Sequence, residues 1–155
     1  MTLVECMLAI AILGGVVTAT ALTITTGARH LARADRAERA ARLGRDMVEE
    51  IVSKPHHDPD QSPLFGPEPG EATRGAFDDV DDFNGFSEKA GDLTDASGQP
   101  YAAEDQRFSR SVTATSQPQT VSELGTTFPG VNVVVSVTHQ SGEQWRFSRY
   151  IPKPH

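Results

Sequence analysis

Three groups of side chains in this chain have types and spacing suited to chemistry. The first is Glu5, a carboxylate at the head of an apolar run, Cys6 to Ala28, in which no other charged residue occurs. An ionisable group in such a run is costly to bury and normally faces a partner. Two partners suit it. Thr2-Leu3-Val4-Glu5 fits the S/T-x-x-E capping box, in which the glutamate accepts a free backbone N–H at the helix start, and the helix dipole favours the same placement. Alternatively, the α-amino group of a neighbouring chain, ordinarily titrating near 7.7–8.0, would be cationic beside a carboxylate at neutral pH. That pairing would also set axial register, because only one stagger brings the two groups together. The two roles are compatible.

The second group is the acidic cluster Asp78, Asp79, Asp81 and Asp82, with Asp58, Asp60, Glu68 and Glu71 nearby in sequence. Carboxylate oxygens suit Ca²⁺, a hard ion that takes 6 to 8 of them. Val80 and Phe83 break the D-x-D-x-D-G loop spacing, and the plainer alternative is a solvated loop whose aspartates cap its own turns. The third group, His56-His57-Asp58, has no further His or Cys at zinc-ligand spacing and reads as exposed loop histidines. No G-x-S-x-G, phosphate-binding loop or histidine–nucleophile signature occurs, so the chain is not expected to be an enzyme.

The elements that position these groups follow from pattern. A bilayer core of roughly 30 Å needs about 20 helical residues, and the run after Glu5 is long enough. It is also too long for a signal peptide, has no Lys or Arg before it, and continues into a helical pattern. Residues 29–54 are rich in Ala, Arg and Glu, good helix formers, and Ala40, Leu43, Met47, Val48 and Ile51 form an apolar stripe. No proline interrupts residues 1–54, so a single helix of about 50 residues, roughly 75–80 Å long, is predicted, ending at Lys54-Pro55. Residues 1–28 would be its membrane half and 29–54 its amphipathic half. The Gly14-Gly15 pair is a place for it to loosen. Residues 55–106 are acidic and rich in Gly and Pro, an irregular connection pinned by Phe65, Phe77, Phe83, Phe86 and Tyr101. Residues 107–155 alternate: 107–115, 131–138 and 144–151 read as strands, with hairpin chemistry at Gln140-Ser141-Gly142-Glu143. Val131, Val133, Val135 and Val137 share one face, and Trp145, Phe147 and Tyr150 cover the partner strand. The fold class is α+β, a long helix packed on an antiparallel sheet.

Charge narrows the partners. The chain holds 14 basic and 21 acidic residues, a formal net charge of −7 at pH 7, and only Glu5 among them precedes Arg29. An acidic body argues against nucleic acid. The arginines from Arg29 to Arg45 read as a solvated helix face with Asp35, Glu38 and Asp46 as local partners, Arg29 and Arg33 reaching toward headgroups. The positive-inside rule would put them on the cytoplasmic side. Cys6, the single cysteine, reads as a small lipid-facing residue.

Met1-Thr2-Leu3-Val4-Glu5 followed by an apolar run resembles the mature N-terminus of type IV pilins and type II secretion pseudopilins, usually written F-T-L-x-E. The order of long helix, irregular loop and sheet is similar to that family's ladle-shaped, pilin-like fold. Lys54-Pro55…Asp58-Pro59-Asp60 and Phe77 to Ser87 look like the MSHA-type or pilus-modification minor pilins. The resemblance implies a prepilin peptidase that cuts a basic leader before Met1 and methylates the new amine. It implies an inner-membrane assembly platform, a single pass through the inner membrane with a periplasmic or extracellular body, and other pilin or pseudopilin subunits as partners in a filament. Met1, Thr2, Leu3 and Glu5 would be the assembly residues, Glu5 pairing with a neighbour's amine; the basic leader would offset the arginines on the body's side. Residue 1 is Met where Phe is commonest, Leu22 stands where many pilins have proline, and the body lacks the family's paired cysteines. The alternative is a signal-anchored single-pass membrane protein with a calcium-dependent extracytoplasmic binding domain, the calcium candidates being Asp78, Asp79, Asp81 and Asp82.

Overall fold

The computed structural model describes residues 2–56, 65–123 and 125–153. Helix α1, Leu3–Val52, runs 50 residues without a break, about 75 Å at 1.5 Å per residue. Gly14-Gly15 does not interrupt it, because nothing lies near either glycine to exploit the weakness. The helix closes through Ser53 and Lys54, whose N–H groups bond back to Glu49, Glu50 and Ile51 carbonyls just before Pro55. The chain forms two compact units, Met1–Ala37 and Glu38–His155. In the first, the helix is exposed along its length. Every large hydrophobic from Leu3 to Ile24 is 57–79% exposed.

The second unit is a helix-on-sheet layer. Strands β1 (Ser87–Glu88), β2 (Phe108–Ser116), β3 (Gln119–Val121), β4 (Thr126–Phe128), β5 (Gly130–His139) and β6 (Gln144–Pro152) follow in chain order. Four of them form an antiparallel sheet in the order β1-β2-β5-β6, and β3 and β4 make a separate hairpin. Period-two alternation puts Val131, Val133, Val135 and Val137 of β5 and Phe108, Val112 and Ala114 of β2 inside. They meet the buried helix stripe of Ala40, Leu43, Met47 and Ile51, with Val48 packed at its edge. The hairpin from β5 to β6 turns at Gly142, whose φ of 89° is the left-handed conformation the turn needs.

Residues 65–106 run as a succession of short turns. Three single 3₁₀ turns, Arg74–Ala76, Asp81–Phe83 and Asp105–Arg107, and the short β1 give them structure. Phe77, Phe83 and Phe86 interlock edge to face with centroids 5.0–6.2 Å apart, so those three do pin the connection. Phe65 does not. It is 45% exposed, because Gly66 turns at φ 98° with its N–H on Asp81 instead of folding the ring inward. Tyr150 is the second departure. Trp145, Phe147 and Ile151 pack on the core, whereas Tyr150 lies on the alternate face, its hydroxyl donating to the Phe128 carbonyl at 2.7 Å.

Helix and sheet approach closely at Gly44. A Cβ built there would lie 2.2 Å from the Phe147 ring, so the ring occupies the space a side chain would need. Gly44→Ala is expected to destabilise the body by about 1–3 kcal/mol, the usual cost of overpacking, read as a lower urea midpoint. Pairing it with Phe147→Leu should recover part of the loss, giving a non-additive double-mutant cycle.

Candidate functional site

At the head of α1 the Thr2 N–H donates to Glu5 Oε2 at 2.6 Å and the Glu5 N–H donates to Thr2 Oγ1 at 3.4 Å. This is the reciprocal capping box that the spacing allows. Met1 lies outside the described residues, and Leu3 is exposed. Along the same helix the hydroxyls of Thr18, Thr20, Thr23 and Thr25 donate to the carbonyls of Gly14, Val16, Ala19 and Leu22 at 2.8–3.0 Å. Each threonine therefore satisfies its polar atom within the helix and leaves a largely apolar exterior. Among the described residues this helix alone is long and apolar enough to cross a membrane, and none of its hydrophobic window is buried. A membrane anchor is compatible with it.

The acidic loop uses most of its carboxylates on its own backbone. Asp82 Oδ2 accepts the N–H groups of Asp78 and Asp79 at 2.8 and 3.0 Å, and Asp79 Oδ1 accepts those of Asp81 and Asp82 at 2.8 and 3.2 Å. Asp78, Asp79, Asp81 and Asp82 therefore do not converge as one ligand set. The carboxylates that do gather are Glu68, Glu71 and Asp82, with one oxygen from each within 4.8 Å of the others. Glu71 Oε2 already accepts the Glu68 N–H at 2.9 Å, so three oxygens fall well short of the 6 to 8 that Ca²⁺ takes. The crowding shows in titration. The Glu68 backbone N–H pulls the Glu71 pKa down, but the adjoining Glu68 carboxyl, burial and Asp82 outweigh it and push it to about 7. Burial, then the Asp81 charge, raises Asp79 to about 7 against the pull of its two N–H donors. His57, Asp58 and Asp60 lie outside the described residues.

An ionic quartet, partly buried and centred on the fully buried Arg110, ties the body together. Glu50 of α1 pairs with Arg74, Arg74 Nη1 reaches Glu88 Oε1 at 3.1 Å, and Arg110 Nη2 reaches Glu88 Oε2 at 2.5 Å. Arg110 is fully buried. It also donates to the Thr94 carbonyl at 2.6 Å and the Leu43 carbonyl at 3.3 Å, and stacks 5.3 Å from the Tyr101 ring centroid. Burial works against the Arg74 charge, but Glu50 holds its pKa above the ordinary value. The arginine ladder of α1 is likewise more than a solvated face. Arg39 and Arg42 both pair with the buried Asp105, at 3.4 and 2.5 Å, and Asp46 accepts the Tyr101 hydroxyl at 2.9 Å. The sequence signal for the quartet was the register of β2, where an arginine occupies an inward position between Phe108 and Val112.

No family model, no curated protein and no solved structure matches the chain.

Two outcomes follow from this geometry. Arg110→Met removes one charge of the quartet and leaves Glu88 partly unpaired in the interior; the expected loss is about 3–5 kcal/mol in denaturant unfolding. Asp79 has a folded pKa raised from 3.8 to about 7, so the unfolded chain loses its proton first as pH rises. Stability is thus fullest below about pH 4 for this group and is lost as pH climbs toward 7. Asp79→Asn keeps the acceptor for Asp81 and Asp82 and removes the charge. It should raise the melting temperature at pH 8 and flatten its pH dependence between 4 and 7.

Proposed function

We propose that this chain is a structural subunit, a minor pilin or pseudopilin, of a type IV pilus-like or type II secretion filament. Residues 1–28 hold it in the inner membrane before assembly and line the filament core afterwards, and the body faces the periplasm or the exterior. The observation that carries this reading is the first half of α1: apolar on every side, wholly unburied, and headed by a carboxylate. Monomeric soluble proteins rarely expose contiguous apolar patches beyond a few hundred Å², and lipid or neighbouring helices would cover this one.

Glu5 supports the same reading once hydrogen bonding and charge are separated. The capping box satisfies one oxygen of Glu5, and among the described residues no side-chain cation pairs with the carboxylate. In an apolar bundle a cation about 4 Å away contributes roughly 4 kcal/mol at an effective dielectric of 20. A neighbour's terminal amine supplies that cation, and prepilin-type processing before Met1 would expose it.

Glu5→Gln separates the two roles. Glutamine serves in a capping box as glutamate does, so a purely capping Glu5 predicts normal behaviour. The filament reading predicts that Glu5→Gln and Glu5→Ala both enter the membrane fraction at wild-type levels while filaments seen by electron microscopy fall at least tenfold. Wild-type filament yield from Glu5→Gln would reject charge pairing.

A further inference from the structure

On the flank of α1 beside β6, Arg45, Val48, Glu49, Val52, Ser53 and Arg149 line an open groove of about 510 Å³. Its floor is apolar, with Val52 43% exposed. The side chains of Arg45 and Arg149 form no ion pair or hydrogen bond among the described residues. Two guanidiniums beside an exposed apolar floor, offset only in part by the Glu49 carboxylate in the same lining, suit a partner that brings both carboxylates and a hydrophobic side chain.

The same chain carries that combination elsewhere. Phe65 is exposed, and Glu68 and Glu71, which follow it, are in no ion pair among the described residues. In its own molecule the Phe65–Glu71 loop is tied down by the Gly66 N–H on Asp81, and none of residues 65–71 lines the groove, so the loop does not fill the groove of the chain that carries it.

We infer that the groove between α1 and β6 receives the Phe65–Glu71 loop of a second copy of this chain, with Arg45 and Arg149 facing Glu68 and Glu71. The contact is heterologous, groove to loop. Each pair so joined keeps one free groove and one free loop, and such a contact propagates into a helical array when its rotation does not close a ring. The inference rests on the filament reading and names the body surfaces that would meet within it.

The test uses the full chain with Cys6→Ser, one population bearing Ser53→Cys and a second bearing Pro67→Cys, co-expressed and oxidised in membranes and in filaments. Both new cysteines leave Val52, Phe65 and the charges intact. Disulfide-linked heterodimers are expected, falling at least tenfold with Arg45→Glu/Arg149→Glu or with Phe65→Ala. They should return when the charge-reversed copy meets one carrying Glu68→Lys/Glu71→Lys. Circular dichroism of each variant checks that the body stays folded, and the reciprocal rescue cannot arise from misfolding. Filaments that assemble without the cross-link, or a cross-link indifferent to charge reversal, would overturn the contact and leave the filament reading standing. If the wild type forms no filaments, that reading fails by itself. The cross-link between copies in the membrane then still decides: its formation supports the contact and its absence overturns it.

Discussion

Placement of α1 on the body depends on four charges that cannot be left singly in the interior. Glu50, Arg74, Glu88 and Arg110 come from the helix, the loop, β1 and β2, and together they are neutral. Desolvating each ion costs several kcal/mol, which the pairing offsets only when geometry is good and the remaining donors are satisfied. Here they are: Arg74 and Arg110 also donate to the Thr94 carbonyl, and Arg110 to Leu43. Apart from the Phe147 ring seated at Gly44, apolar contacts would tolerate sliding of the helix stripe over a valine-rich strand. A misplaced helix would strand at least one of these ions, so the quartet favours one placement, and with it the positions of the groove beside β6 and the loop along β2.

The parts of the fold that were legible from sequence have long periods. The stripe of Ala40, Leu43, Met47 and Ile51 and the valines of β5 repeat often enough to identify their elements, and the structure buries them together. Short or context-bound features were not legible. Strand β1 has two residues and β3 and β4 three each, too few for alternation to register. Arg110 could be placed in a strand, but its counter-ion Glu88 lies 22 residues away in the chain, and Glu50 lies 24 from Arg74. Phe65 shows the limit of composition, which counts aromatic rings without saying which the loop turns outward. At Glu5 the capping box was legible because donor and acceptor sit three residues apart.

The acidic loop illustrates how local bonding and long-range charge pull apart. Asp79 and Asp82 are well satisfied as acceptors, each holding two backbone N–H groups. The Asp79 charge is not, because burial and the neighbouring Asp81 carboxylate both disfavour it. A turn built from aspartate is easy to fold at low pH and grows more repulsive as its members ionise. Three remedies exist: a proton, a bound cation or an external positive surface. The converging Glu68, Glu71 and Asp82 offer too few oxygens for a well-held ion, which makes protons and a basic partner surface the better-supported remedies.

The two halves of α1 handle their polar atoms in opposite ways, and this limits where recognition between copies can reside. In residues 38–52 the polar side chains reach outward to named partners, Arg39 and Arg42 to Asp105, Asp46 to Tyr101 and Glu50 to Arg74. In the apolar half the threonine hydroxyls turn back on the helix's own carbonyls, which suits a lipid environment. A side chain already spent on its own backbone has little to offer a neighbouring helix. Apolar contacts there can hold helices together but discriminate poorly among staggers, since one run of Leu, Ile, Val and Ala packs much like another. In the proposed filament, specificity would then come from the two ends of the system: a single charge at Glu5 to set register, and the polar surfaces of the body to select the neighbour.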